Sequence, residues 1–214
     1  MKKYIYNDTL IEILKEQKLF PVLRGKDKNK MVATARALAK AGIEIVEINV
    51  DAPEIFEAIE EVSDEITVCA GGIITSLQAQ TAFEAGAKVL SSPIFQTNLL
   101  KISKSRKIPY IAGTTTANEA YNAWKSRIPL IKLYPITAMG GTMYLEDILR
   151  PMPFLNIMPA GNVKLSQVKD YIKAGATCVG VGRDIYDGYT PDEITARVQN
   201  LLKEINDPRK FCDM

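Results

Sequence analysis

Short apolar runs rich in β-branched residues alternate with segments of helical periodicity along the whole chain. The runs fall at 19–23, 43–50, 66–71, 89–92, 109–112, 130–134, 156–159 and 178–182. Helical patterns occupy 28–41, 53–62, 76–85, 97–105, 117–125, 165–174 and 191–205, with none assigned between the sixth and seventh runs. Strands buried on both faces read as continuous apolar stretches, whereas half-exposed helices place apolar residues three and four apart. Eight such units in about 190 residues predict an α/β chain folded as one (β/α)8 TIM barrel over 1–214. A further helix at 8–18, with Asp8 or Thr9 as N-cap, is expected to close the barrel floor within an N-terminal capping segment 1–18. Residues 207–214 read as a tail. Ala41-Gly42-Ile43, Ala85-Gly86-Ala87 and Ala174-Gly175-Ala176 look like glycine C-caps leading into the next strand. A doubly wound open sheet is the competing architecture. Its glycine fingerprint is missing, since Arg24-Gly25-Lys26 offers one glycine after the first run.

One position breaks the apolar pattern in a way that asks for chemistry. Lys132 sits inside Leu130-Ile131-Lys132-Leu133-Tyr134-Pro135. In a low-dielectric interior an amine sheds its proton more readily than in water, and a free amine can attack a ketone to form a Schiff base. An edge-strand lysine reaching out to water is the ordinary alternative. Glu47 lies in a second such run, where alternation puts Ile45, Glu47 and Asn49 on one face and Val46, Ile48 and Val50 on the other. A carboxylate facing a buried amine would serve as a proton shuttle. Two ionisable residues in two core strands favour a site over two isolated surface charges.

Composition narrows the partners. The chain has 214 residues, 27 Lys and Arg against 25 Asp and Glu, a net charge of +2 and no histidine. Neither a nucleic-acid footprint nor a membrane-binding face follows from charges so evenly mixed, and a small soluble ligand is expected. Without histidine, catalysis rests on Lys, Glu, Tyr or Cys, and no clustered metal-ligand motif exists. Cys69, Cys178 and Cys212 make an odd count without ligand spacing, which suits a reducing cytoplasm. No secretory signal or span of about 18 apolar residues is present.

Barrel enzymes do their chemistry where the strands end. Arg24 closes the first run, Pro159-Ala160-Gly161-Asn162 follows the seventh, and Val179-Gly180-Val181-Gly182-Arg183 closes the eighth. Loops after strands seven and eight commonly hold phosphate on backbone amides, and Arg183 adds a fixed cation. Gly161, Asn162, Gly182 and Arg183 are therefore the candidate phosphate site. Tight turns beside a surface arginine ion pair are the plainer alternative.

These residues together resemble the 2-keto-3-deoxy-6-phosphogluconate and 4-hydroxy-2-oxoglutarate aldolases, pyruvate-dependent class I enzymes. The resemblance covers nearly the full length. It is carried by Pro21-Val22-Leu23-Arg24, Gly42-Ile43-Glu44-Ile45-Val46-Glu47-Ile48, Cys69-Ala70-Gly71-Gly72, Ser92-Pro93, Ile131-Lys132-Leu133-Tyr134-Pro135 and Val179-Gly180-Val181-Gly182 with Thr190-Pro191-Asp192-Glu193 after it. It implies Lys132 as the Schiff-base lysine, Glu47 as acid and base, and Arg24 near the pyruvate carboxylate. It implies Gly72, Pro93, Thr115, Ala160 and Gly161 as further substrate-binding positions. A homotrimer acting on a small keto acid is implied as well, with no cofactor beyond the covalent lysine and no metal.

The departures from the family pattern cluster in the pocket. Gly72 stands where threonine is usual, Ala160-Gly161-Asn162 replaces threonine-glycine-glycine, and Asp51 takes a position that is arginine in some members. Arg183 replaces a serine and Ala112 a proline. Two other readings stay open at this point. One is a phosphosugar isomerase or synthase with electrostatic Lys132 and a second carboxylate at Asp51 or Asp184. The other is a non-catalytic relative that binds a phosphorylated metabolite through Arg183.

Overall fold

The computed structural model describes residues 6–207, and what the sequence suggests for 1–5 and 208–214, including Cys212, lies outside the described residues. The chain runs α1 (Asn7–Gln17), β1 (Leu19–Leu23), α2 (Lys28–Lys40), β2 (Ile45–Asn49), α3 (Glu54–Val62), β3 (Thr67–Gly71), α4 (Ser76–Glu84) and β4 (Val89–Ser92). It continues through α5 (Thr97–Arg106), β5 (Tyr110–Thr114), α6 (Ala117–Lys125), β6 (Leu130–Leu133), α7 (Ile136–Met139) and α8 (Thr142–Leu149). It then passes through β7 (Ile157–Pro159), α9 (Val168–Lys173), β8 (Val179–Val181) and α10 (Pro191–Ile205). All strand pairs are parallel, in the order β7-β6-β5-β4-β3-β2-β1-β8. A bridge between Ala160 and Gly180 joins the two ends, so the sheet is a ring and the open-sheet alternative falls.

Side chains alternate between two cores. Outward residues such as Leu23, Val46, Ile48, Val68, Leu90 and Ile131 pack against the helices. One inward residue from each of β1 to β7, with Cys178 just before β8, forms the bottom layer: Phe20, Ile45, Cys69, Val89, Ile111, Leu130, Met158 and Cys178. Leu10 and Leu14 of α1 complete that layer, which is how the helix closes the floor. Its last residue, Gln17, seals the seam. The amide donates to Leu19 O (2.6 Å) and Ile45 O (3.1 Å) and accepts from the backbone N–H of Glu44 and Ile45.

Three local features correct or refine the sequence pattern. The first helix begins at Asn7 with Tyr6 as N-cap and no side-chain cap, so neither Asp8 nor Thr9 caps it. Both fall inside the first turn instead. Between β6 and β7 lie α7 and α8, which the apolar periodicity did not single out. Gly140 and Gly141, both at positive φ, split this segment into a four-residue and an eight-residue helix, too short for a sustained period. Gly42, Gly86 and Gly175 do follow the ends of α2, α4 and α9 with left-handed backbone, as the Ala-Gly pattern predicts. No helix among the described residues is long and apolar enough to cross a membrane.

Candidate active site

Above the bottom layer the inward positions open into a cavity of about 550 Å³ at the C-terminal ends of the strands. Its lining includes Val22, Arg24, Glu47, Asn49, Lys132 and Ala160. Lys132 is 7% exposed and Glu47 is 1% exposed, so neither side chain snorkels to water. Lys132 Nζ lies 2.6 Å from Glu47 Oε2 and 2.8 Å from Oε1. Two charges removed from water to this degree survive only as a close pair with further hydrogen bonds. Gly71 leaves the room that the carboxylate needs: a Cβ there would sit 2.5 Å from Glu47 Cγ and Oε1.

The second half of the site links Glu47 to Arg24. Asn49 Oδ1 accepts from Arg24 Nη2 (3.2 Å), and Asn49 Nδ2 donates to Leu23 O (3.2 Å) and to Glu47 Oε1 (3.4 Å). Tyr186 fixes the arginine backbone, accepting from Arg24 N (3.0 Å) and donating to Arg24 O (3.1 Å). Burial pushes the Tyr186 hydroxyl up from its ordinary range, which keeps it a donor. Asp51 lies 3.6 Å from Arg24 Nε.

The loops after β7 and β8 continue the wall beyond β1, since β8 pairs with β1. Gly161, Asn162, Gly182 and Arg183 all line the cavity. Thr137 Oγ1 donates to Gly161 O (2.6 Å) and braces the first loop. Asp184, also on this wall, accepts from Leu165 N (2.8 Å), so a carboxylate of the protein already holds that amide. Gly72 and Pro93 line the cavity as well.

Thr115 is the exception among the expected positions. It is not part of the cavity wall, and its hydroxyl donates to Tyr134 O (2.8 Å). It follows the last residue of β5, where the chain turns outward into α6. Asn49 was legible as a residue on the Glu47 face, but its bridging role was not. Tyr186 gave no signal, because its approach to Arg24 joins segments 162 positions apart. Ser91 is fully buried, and its hydroxyl has no hydrogen-bond partner among the described residues. Neither carboxylate that a phosphosugar isomerase or synthase would use is paired with Lys132: Asp51 pairs with Arg24, and Asp184 accepts from Leu165 N. No group of three or more Cys, Asp or Glu positioned to hold a metal occurs among the described residues. The thiols of Cys69 and Cys178 lie beneath the pair, and burial pushes both well above the usual thiol range.

A lysine and a glutamate paired inside a parallel eight-stranded barrel, under an arginine-bearing cavity, define an enzyme of carbonyl chemistry. The family described as KDPG and KHG aldolase matches residues 10–199, and the chain belongs to that family. It is an aldolase, a carbon–carbon lyase. It is 29% identical to the 2-dehydro-3-deoxy-phosphogluconate aldolase of Treponema pallidum (strain Nichols), over 77% of this chain and 80% of that protein. It is 27% identical to the KHG/KDPG aldolase of Escherichia coli (strain K12), over 89% of this chain and 93% of that one. Its fold matches a KDPG aldolase from Legionella pneumophila, solved with pyruvate captured at low pH as a covalent carbinolamine intermediate. That match has a TM-score of 0.81 at 24% identity and covers 89% of this chain and 97% of the other.

Proposed function

We propose that this aldolase cleaves a 2-keto-3-deoxy sugar acid, phosphorylated or not, or 4-hydroxy-2-oxoglutarate, to pyruvate and an aldehyde, with Lys132 as the covalent centre. The observation that carries the reading is the buried Lys132–Glu47 contact of 2.6 Å at the base of the cavity. Glu47 accepts the proton that Lys132 must lose. The free amine adds to the C2 ketone, and Glu47 returns the proton as water leaves to give the iminium. As the C3–C4 bond breaks, its electron pair moves into the iminium and Glu47 takes the C4 hydroxyl proton. The aldehyde departs, leaving an enamine. Protonation at C3 and addition of water release pyruvate and restore the amine, so the lysine does the work of a cofactor.

In this reading Arg24 holds the keto-acid carboxylate, and Gly72, Pro93, Ala160 and Gly161 shape the space along the substrate chain. Arg183, with the amides around Gly161, Asn162 and Gly182, anchors a distal phosphate or carboxylate. The reading extends to a homotrimer in the cytoplasm. Exposed Ile74, Leu77 and Ile94 near the ends of β3 and β4 support the former, as an apolar face that a second copy would cover. The free thiols Cys69 and Cys178 suit a reducing compartment. Light scattering on the purified chain tests the assembly. For the chemistry, the chain is incubated with pyruvate and borohydride and weighed intact. A stable adduct that maps to Lys132 and disappears in Lys132→Ala is the expected result; no adduct at millimolar pyruvate overturns the covalent role.

A further inference from the structure

Asn49 is a polar side chain only 3% exposed, and every polar atom of its amide is engaged. The orientation of that amide follows from its partners. Arg24 can only donate, so it faces the oxygen; Leu23 O and an ionised Glu47 can only accept, so they face the nitrogen. The amide thus ties the end of β1, the catalytic strand β2 and the arginine at the cavity mouth into one frame. Its importance grows once Lys132 becomes an imine. The ammonium that now gives both Glu47 oxygens a donor is then consumed, and Asn49 Nδ2 is the other side-chain donor to that carboxylate among the described residues.

Gly72 supplies an independent observation. It stands at φ +69°, and a Cβ there would lie 2.9 Å from Asn49 Oδ1. A side chain at 72 and the present placement of Asn49 therefore compete for the same space. This accounts for glycine at the position where the family pattern has threonine.

We infer that Asn49 is a positioning residue that holds Glu47 and Arg24 in register during turnover, and that it requires glycine at position 72. The inference rests on the aldolase reading above. It concerns how the acid–base carboxylate is held rather than which residue forms the imine. The charged and titratable groups facing Glu47 are Lys132 from β6, Cys69 from β3 and, through Asn49, Arg24 from the end of β1 with Asp51 beside it.

The test compares the wild-type chain with Asn49→Ala, Asn49→Asp, Gly72→Ala and the Asn49→Ala/Gly72→Ala double variant, using the pyruvate–borohydride adduct and steady-state cleavage. Asn49→Ala is expected to keep the adduct, lower kcat about tenfold or more and raise KM for pyruvate in the condensation direction. Asn49→Asp sets a second carboxylate against Glu47 and is expected to move the acidic limb of the kcat profile to higher pH. Gly72→Ala is expected to cost less kcat in the Asn49→Ala background than alone. A wild-type kcat and pH profile in Asn49→Ala, or strictly additive losses in the double variant, overturns the inference. Should Asn49→Ala not fold, Gly72→Ala carries the test: lowered kcat with an intact adduct supports the role, and unchanged kcat and pH profile refute it. No adduct in the wild-type chain removes the aldolase reading and this inference together. A wild-type adduct beside an unaffected Asn49→Ala removes the inference alone.

Discussion

Lys132 and Glu47 are separated by 85 positions, yet their charged atoms meet at 2.6 Å in the barrel interior. The contact joins β6 to β2 across the lumen, so it reports on closure of the whole ring. A buried ion pair recovers its desolvation cost only while both members are present. Lys132→Met or Glu47→Leu should each destabilise the chain by about 3–5 kcal/mol through the stranded charge, and the double variant should recover most of that loss. Urea unfolding of the four proteins measures the cycle. Additive losses would mean that the two side chains do not share one desolvated site.

Glu47→Gln keeps the shape of the side chain and removes its capacity to carry a proton. Its turnover should fall by about 10² or more, while some pyruvate adduct still forms on Lys132, because imine formation can draw protons from water more readily than C3–C4 cleavage can. Stopped-flow cleavage and intact-mass trapping on the same sample separate the two steps. Unchanged turnover would assign the proton transfers to another group.

The barrel was legible because parallel strands buried on both faces leave continuous apolar runs, and Lys132 stood out as a charge inside one of them. Glu47 was legible for the same reason. What stayed hidden was coupling between the ends of neighbouring strands. Asn49, Arg24 and Tyr186 come from β2, the end of β1 and the segment after β8, and no periodicity within a segment shows which ends converge. Thr115, which the family resemblance implies as a substrate-binding position, is one residue past β5 and donates to Tyr134 O instead of lining the cavity. The short helices α7 and α8 escaped because Gly140 and Gly141 interrupt them, not because their residues are unsuited to helix.

Cys69 and Cys178 form part of the floor, where burial raises both thiols well above their unfolded value of about 8.5. For an acid whose folded pKa is raised, the neutral form is favoured by folding. That stability is complete below about pH 8.5 and declines as pH rises and the unfolded thiols ionise. The urea midpoint should therefore drop between about pH 7 and pH 9.5. Native protein treated with iodoacetamide near pH 8 should show neither cysteine alkylated by peptide mapping, whereas urea-unfolded protein shows both. Rapid native labelling of either one would contradict a closed floor.

Arg183 and Asp184 stand side by side on the wall proposed for the distal end of the substrate, with opposite consequences for an anion. Arg183→Ala should raise KM for a phosphorylated 2-keto-3-deoxy acid by about 10- to 100-fold, the range of a lost charge-assisted hydrogen bond, and leave the unphosphorylated acid nearly unaffected. Asp184→Asn retains an oxygen for Leu165 N while removing the negative charge. It should lower KM for the phosphorylated acid severalfold, in keeping with about 1 kcal/mol for a partly exposed charge. The pair of substrates makes the measurement specific, because a general loss of activity moves both KM values. If neither substitution separates the two acids, the distal group does not rest on this wall, and Arg24 becomes the cation to test next.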